Sequence, residues 1–150
     1  MPAPAGDVIP ALLSAGFSYE QNRLPEALSM LQTAAAAEIE DAGSELTFCR
    51  CLQTAAVYAA LGQNRQLTDT LNLTEMYIRK TGSRHLAANL EAFKTRLALA
   101  DGSQTAAKSW LERNNADDPD SPELYKIYRH FTTARAFLVL GKCDKAAELI

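Results

Sequence analysis

The sequence predicts an all-α fold of four antiparallel helix-turn-helix pairs arranged as a repeat array. Helix-stopping residues recur about every 20 positions, at Gly43, Gly62, Gly82, Gly102 and Gly141, with Pro122 in place of a missing glycine and Asn22 extending the series toward the N-terminus. Alternate stops are followed by related segments. Asn22-Arg-Leu-Pro-Glu-Ala-Leu-Ser-Met-Leu, Gly102-Ser-Gln-Thr-Ala-Ala-Lys-Ser-Trp-Leu and Gly141-Lys-Cys-Asp-Lys-Ala-Ala-Glu-Leu-Ile each carry Ala five positions after the turn residue. Gly62-Gln-Asn-Arg-Gln-Leu-Thr-Asp-Thr-Leu is a divergent copy with Leu67 at that position. From Asn22 to Gly62 and from Gly62 to Gly102 is 40 residues, and from Gly102 to Gly141 is 39. A fixed period in this range marks a repeat architecture. Apolar residues also recur at helical spacing almost everywhere, while β-branched residues are sparse and do not alternate.

Ala11, Leu12 and Ala15 lead into a first helix that ends near Tyr19. Leu24, Ala27, Leu28, Leu31, Ala34 and Ala35 make the second. Leu46, Cys49, Leu52, Ala56 and Ala59 make the third, and Leu67, Leu71, Met76 and Ile78 the fourth. Leu86, Leu90, Phe93 and Leu97 belong to the fifth, and Ala106, Ala107, Trp110 and Leu111 to the sixth. The polar run from Asn114 to Asp120 reads as a longer loop. Ser121-Pro122-Glu123 then opens the seventh helix, with Ser as N-cap, Pro in the first helical position and Glu at the positive end of the dipole. Leu124, Ile127, Phe131, Ala134 and Leu138 form its apolar stripe. The eighth helix opens after Gly141 and has barely begun at Ile150. Repeats therefore fall at about 7–42, 43–82, 83–120 and 121–150 of a single domain, the last truncated. A solenoid normally ends in a capping helix with a polar outer face. The chain thus reads as a piece of a longer protein, the alternative being a naturally short eighth helix.

Composition narrows the function classes. The 150 residues are 47% hydrophobic, enough for a sizeable core. Net charge is −3 and the pI about 5.4, whereas a nucleic-acid binder usually presents a basic face. Direct nucleic-acid contact is therefore not expected. The N-terminal Met-Pro-Ala-Pro-Ala-Gly-Asp lacks the basic start and apolar core of a signal peptide, and no apolar run is long enough to span a membrane. The expected compartment is the cytoplasm. Cys49, Cys51 and Cys143 are an odd number of cysteines and read as free thiols in a reducing environment. Asn72-Leu-Thr74 matches a glycosylation acceptor but lies mid-helix.

Helix pairs with a small residue, then Gly, then Ala five positions later resemble tetratricopeptide repeats. In that family a small residue on the first helix packs against one on the second. The matching pairs here are Ala15 with Ala27, Ala55 with Leu67, Thr95 with Ala107 and Ala134 with Ala146. The family's aromatic position is filled by Tyr58 and Phe137 but by Ser18 and Ala98 in the other copies, and its large residue by Leu31, Leu71, Leu111 and Ile150. The resemblance covers essentially the whole chain and implies a right-handed α-α superhelix. The period departs from the usual length of about 34 residues. The excess is about three residues per helix, or roughly 4–5 Å of helix.

That longer repeat resembles the superhelical sensor region of large LuxR-family transcription regulators of the maltose-operon activator type. The best local match is Phe131-Thr-Thr-Ala-Arg-Ala-Phe-Leu-Val-Leu-Gly-Lys-Cys-Asp-Lys-Ala-Ala-Glu-Leu-Ile150, which looks like that family's Leu-, Ala- and Gly-containing helical block. Ala106-Ala107-Lys108-Ser109-Trp110-Leu111 followed by a polar loop also fits. The resemblance implies an ATPase module upstream and a DNA-binding helix-turn-helix downstream in the parent protein. The chain carries neither. Gly141-Lys142 stands without the rest of a phosphate-binding loop, and there is no basic recognition helix. The implied role is non-catalytic: sensing an effector or binding a protein, with any ATP bound by the parent. A general tetratricopeptide scaffold that docks a partner peptide or helix, unrelated to transcription, is the alternative.

Catalytic chemistry finds little support. Cys49 with His85 or His130 would supply a nucleophile and a base, but nothing places them together, and a helical repeat offers no strained turn for a thiol. Glu38/Glu40 and Asp117/Asp118/Asp120 sit at helix ends or in a loop, and the last group lacks the glycine and closing glutamate of an EF-hand. No catalytic, cofactor or metal residues are assigned. The first helix of each pair is expected to line the inner groove. Repeat position then nominates Cys49, Leu52, Ala56, Asn89, Arg96, Tyr128, Phe131 and Arg135. Arg96 and Arg135 occupy equivalent rungs, and two guanidiniums so placed would hold a phosphate or carboxylate bidentately. Alternatively each forms an ion pair, for example with Glu91 or Asp101. Tyr128 and Phe131 read as packing residues before ligand stackers. Trp110 is expected at an inter-repeat contact, partly exposed. Apolar edges left by truncation would favour self-association.

Overall fold

A computed structural model describes residues 8–37, 44–114 and 123–149, and among them the chain forms eight helices and no strand. These are α1 (Val8–Glu20), α2 (Leu24–Ala37), α3 (Ser44–Ala60), α4 (Asn64–Thr81), α5 (Arg84–Ala100), α6 (Gln104–Arg113), α7 (Glu123–Val139) and α8 (Cys143–Ala147). The expected order and number of helices hold, with ends shifted by a few residues. The stops at Gly43 and Pro122, the Ser121 N-cap, and the acidic groups Glu38/Glu40 and Asp117/Asp118/Asp120 lie outside the described residues.

One turn geometry recurs at four of the stops. Gly62 donates its N–H to the Ala59 carbonyl at 3.1 Å, and Gln63 donates to Tyr58 at 2.9 Å. Gly102 and Ser103 repeat the pattern on Leu99 at 3.0 Å and Ala98 at 3.1 Å, and Gly141 and Lys142 repeat it on Leu138 at 3.0 Å and Phe137 at 2.9 Å. Asn22 and Arg23 do the same on Tyr19 at 2.9 Å and Ser18 at 2.8 Å. This paired 5→2 and 6→1 bonding is a Schellman motif, which satisfies carbonyls a helix end would otherwise orphan. It needs a left-handed residue, and φ is +68° at Gly62 but also +58° at Asn22, where a side chain tolerates that region least badly after glycine. Gly82 differs: it makes the single 5→1 bond, to Ile78 at 2.9 Å. The Schellman turns therefore close α1, α3, α5 and α7, the first helix of each pair. The simpler turn ends α4, between pairs.

The chain divides into two compact units, residues 1–82 and 83–150. In the first, α3 packs on both α1 and α2, and Val8, Leu12, Ala15, Ala27, Leu31, Ala34 and Val57 form the core. In the second, α7 packs on both α5 and α6, α8 packs on α7, and Ala92, Leu99, Ala107, Trp110 and Ala136 form the core. The small residues expected to face one another are buried: Ala15, Ala27, Ala55, Thr95, Ala107, Ala134 and Ala146. Leu67 is half-buried, as its size at a small-residue position requires. Close helix approach needs side chains that stop at Cβ, so alanine here sets the spacing within a pair. Thr74 of the glycosylation-like triplet is fully buried and donates to the Thr70 carbonyl at 2.7 Å. Among the described residues no helix is long and apolar enough to cross a membrane.

Candidate ligand face on the second unit

Helix α5 starts sharply. Gly82 ends α4, and the Ser83 hydroxyl then accepts the Leu86 N–H at 3.4 Å as N-cap. One face of α5 presents Ala92 and Leu99 to the core, with Arg96 between them. The Arg96 guanidinium lies over the Tyr128 ring of α7, 4.5 Å from its centroid. Tyr128 itself packs against the core cluster, so the cation sits on an aromatic platform held from below.

A closed ring of hydrogen bonds fixes α7 in place. The Trp110 indole N–H donates to Thr133 Oγ1 at 3.0 Å, and Thr133 donates to the Arg129 carbonyl at 3.0 Å. Arg129 donates to Asn114 Oδ1 at 2.8 Å, and Asn114 Nδ2 donates to the Trp110 carbonyl at 3.0 Å. Trp110 is 1% exposed, so the expected inter-repeat contact is present but its partial exposure is not. The indole fills the space between hairpins, and its one polar atom finds a hydroxyl there.

The nominated residues separate by unit. Asn89, Arg96, Tyr128, Phe131 and Arg135 belong to α5 and α7 of the second, whereas Cys49, Leu52 and Ala56 belong to α3 of the first. Arg96 and Tyr128 are brought into contact. Phe131 and Arg135 are exposed on α7, and Asn89 is buried with its Oδ1 accepting no hydrogen bond among the described residues. Arg96 pairs with neither Glu91 nor Asp101. Glu91 instead meets Arg113 at 3.3 Å, a half-exposed pair of small energetic weight. The stack covers one face of the Arg96 guanidinium and leaves its N–H donors uncommitted among the described residues. Such an edge suits a carboxylate or phosphate.

Cys49 is exposed at the start of α3. Desolvation of the sulfur, and secondarily the Glu45 carboxylate one turn earlier, push its thiol above the ordinary value. That favours the unreactive protonated form. Among the described residues no three His, Cys, Asp or Glu side chains cluster as metal ligands do.

What sequence reasoning missed is the outer row of α1. Ile9, Leu13 and Phe17 are 52%, 62% and 68% exposed on one helix face. Their spacing of four was the available signal.

No family model, curated protein or solved structure matches this chain.

Proposed function

We propose that this chain is a non-catalytic, tetratricopeptide-like binding segment that senses an effector or docks a protein. Its parent, on this reading, is a LuxR-type transcription regulator that contacts DNA through a domain outside this sequence. The observation that carries the binding role is the recurrence of one Schellman turn at intervals of 40, 40 and 39 residues, three of the four joining two helices through buried small residues. Such a recurrence supports reading the chain as a stacked helical array, which would offer an extended face for a ligand. The regulator reading is supported only by sequence: the length of the repeat and the resemblance of residues 106–111 and 131–150.

Arg96 on Tyr128, with Arg135 and Phe131 on α7, is the proposed ligand face. An effector with a carboxylate or phosphate would anchor on the guanidinium edges. It shifts the regulator only by binding one state better than another. Replacing Arg96 and Arg135 by Ala in the full-length protein is expected to abolish the response to inducer; an unchanged response removes the assignment. Exposed Ile127, Phe131 and Leu138 favour a second reading, a scaffold that docks a partner helix with no link to transcription. The coding regions on either side distinguish the two. An ATPase module and a helix-turn-helix support the regulator, and further repeats without a DNA-binding module support the scaffold.

A further inference from the structure

Two exposed rows of side chains share one spacing. On α1, Ile9, Leu13, Phe17 and Glu20 stand at i, i+4, i+8 and i+11, a single helix face, and all four are exposed. On α7, Ile127, Phe131, Arg135 and Leu138 stand at the same increments and are all exposed, the apolar three at 52%, 51% and 52%. Neither Glu20 nor Arg135 makes an ion pair among the described residues.

The repeat makes these rows the two halves of one interface. The interval from Asn22 to Gly141 carries Ile9, Leu13, Phe17 and Glu20 onto Tyr128, Thr132, Ala136 and Val139. Those four are the inward face of α7: Thr132 and Ala136 are fully buried, and Tyr128 and Val139 pack against the core cluster. The interval from Gly102 to Gly141 carries Ala88, Ala92, Arg96 and Leu99 onto Ile127, Phe131, Arg135 and Leu138. Those four are the face of α5 that holds Ala92 and Leu99 in the core and Arg96 on Tyr128. Inside the second unit, therefore, a forward row on α5 meets a backward row on α7. The outer row of α7 is the forward row again, and the outer row of α1 is the backward row again.

We infer that the chain self-associates head to tail, α7 of one copy receiving α1 of the next as α5 receives α7. In that register Arg135 lies by Ile9, where Arg96 lies by Tyr128, and the apolar residues of the two rows pack alongside one another. Charge is compatible: one row carries only Glu20 and the other only Arg135, so no like charges oppose. Helix α1 has no charged residue before Glu20, so its outer row is apolar apart from that carboxylate. The contact joins different surfaces, so copies add successively into a ring or an open chain. The contact covers Phe131 and Arg135, so it competes with an effector held on them.

Sedimentation of the 150-residue chain over a range of concentrations tests it. The wild type is expected to associate increasingly as its concentration rises. Leu13→Glu spoils the α1 row and Phe131→Glu the α7 row; both sites are more than half exposed, and circular dichroism checks that both variants fold. Each variant alone is expected to be monomeric. Their equimolar mixture is expected to form dimers and nothing larger, because one copy keeps its α7 row and the other its α1 row. Arg135→Glu, which places a carboxylate by the apolar Ile9 end of the α1 row, moves assembly to higher concentration. A wild type that stays monomeric overturns the inference and leaves the rows to a different partner. So does a Phe131→Glu variant that still dimerises while Leu13→Glu does not, which is the result for α1 paired with itself. A mixture that remains monomeric overturns it equally.

Discussion

Trp110 of α6 donates its indole N–H to Thr133 Oγ1 of α7 at 3.0 Å, across the seam between two helical pairs. The bond belongs to the four-membered ring that returns through Arg129 and Asn114 to the Trp110 carbonyl. The ring matters because the indole is almost fully buried and has no water to turn to. Asn114 also supplies the backbone C-cap of α6, so the same ring finishes that helix.

Thr133→Val keeps the shape of the side chain and removes the acceptor. The buried N–H is left unpaired, at a cost of about 1–3 kcal/mol. Thr133→Ser restores the hydroxyl and is expected to recover most of that loss. Urea midpoints of the two variants make the comparison. Equal midpoints would show that the bond contributes nothing to stability.

Alanine at two glycines is expected to act with opposite sign. Gly62 sits at φ +68°, where an L side chain costs roughly 1–2 kcal/mol. Gly16 lies within α1, and a Cβ built there meets nothing within 4 Å. Gly16→Ala should therefore stabilise by up to about 1 kcal/mol through helix propensity. Asn22→Gly relieves the positive φ at the one Schellman turn without glycine and should stabilise slightly. Thermal melts rank all three, and a stabilised Gly62→Ala would contradict the turn geometry.

The stack of Arg96 on Tyr128 is accessible to a double-mutant cycle. Arg96→Gln, Tyr128→Leu and the double variant are expected to give a coupling of about 0.5–1 kcal/mol, the range for a partly exposed cation on an aromatic ring. A coupling of zero would mean that the two side chains are neighbours without attraction. The Glu91–Arg113 pair provides a contrast: Glu91→Gln should change stability by less than about 1 kcal/mol.

The thiol of Cys49 is held protonated, chiefly by desolvation and then by Glu45. Its alkylation by iodoacetamide should be slower than that of the same residue in the unfolded chain at mildly alkaline pH. Glu45→Gln removes the second cause and should speed it. For stability the sign follows from the raised folded value. The contribution is intact below the ordinary thiol pKa of about 8.5 and is lost as pH rises through the higher folded value. A Cys49 rate unaffected by Glu45→Gln would exclude the carboxylate as a cause.

Turns were the most legible part of the sequence because their chemistry is local. A glycine after a run of helical residues announces a left-handed stop, and Gly62, Gly82, Gly102 and Gly141 all take one. Asn22 was legible only through its spacing from Gly62, since asparagine has other uses. The buried small residues were also readable, because one amino acid type recurs at one repeat position. The candidate face was legible only in part. Arg96 and Tyr128 were each nominated, but their contact depends on how α5 and α7 are offset, which no local signal encodes. The alternative for Arg96, an ion pair with Glu91 or Asp101, does not form, and Glu91 meets Arg113 on another helix. The burial of Trp110 likewise depends on Thr133, 23 residues away. The apolar row on α1 has ordinary amphipathic spacing. Only the structure distinguishes the face that packs on α2 and α3 from the face that packs on nothing described.

The position of Trp110 also decides what spectroscopy can see. It is the only tryptophan of the chain, and it is sealed into the seam between α6 and α7. Its emission therefore reports the melting of residues 83–150 and carries no information on the first unit. Circular dichroism, by contrast, sums the helices of both. Where the two signals lose structure at different temperatures, the chain unfolds in two steps, and the optical trace of the indole identifies which unit goes at which step.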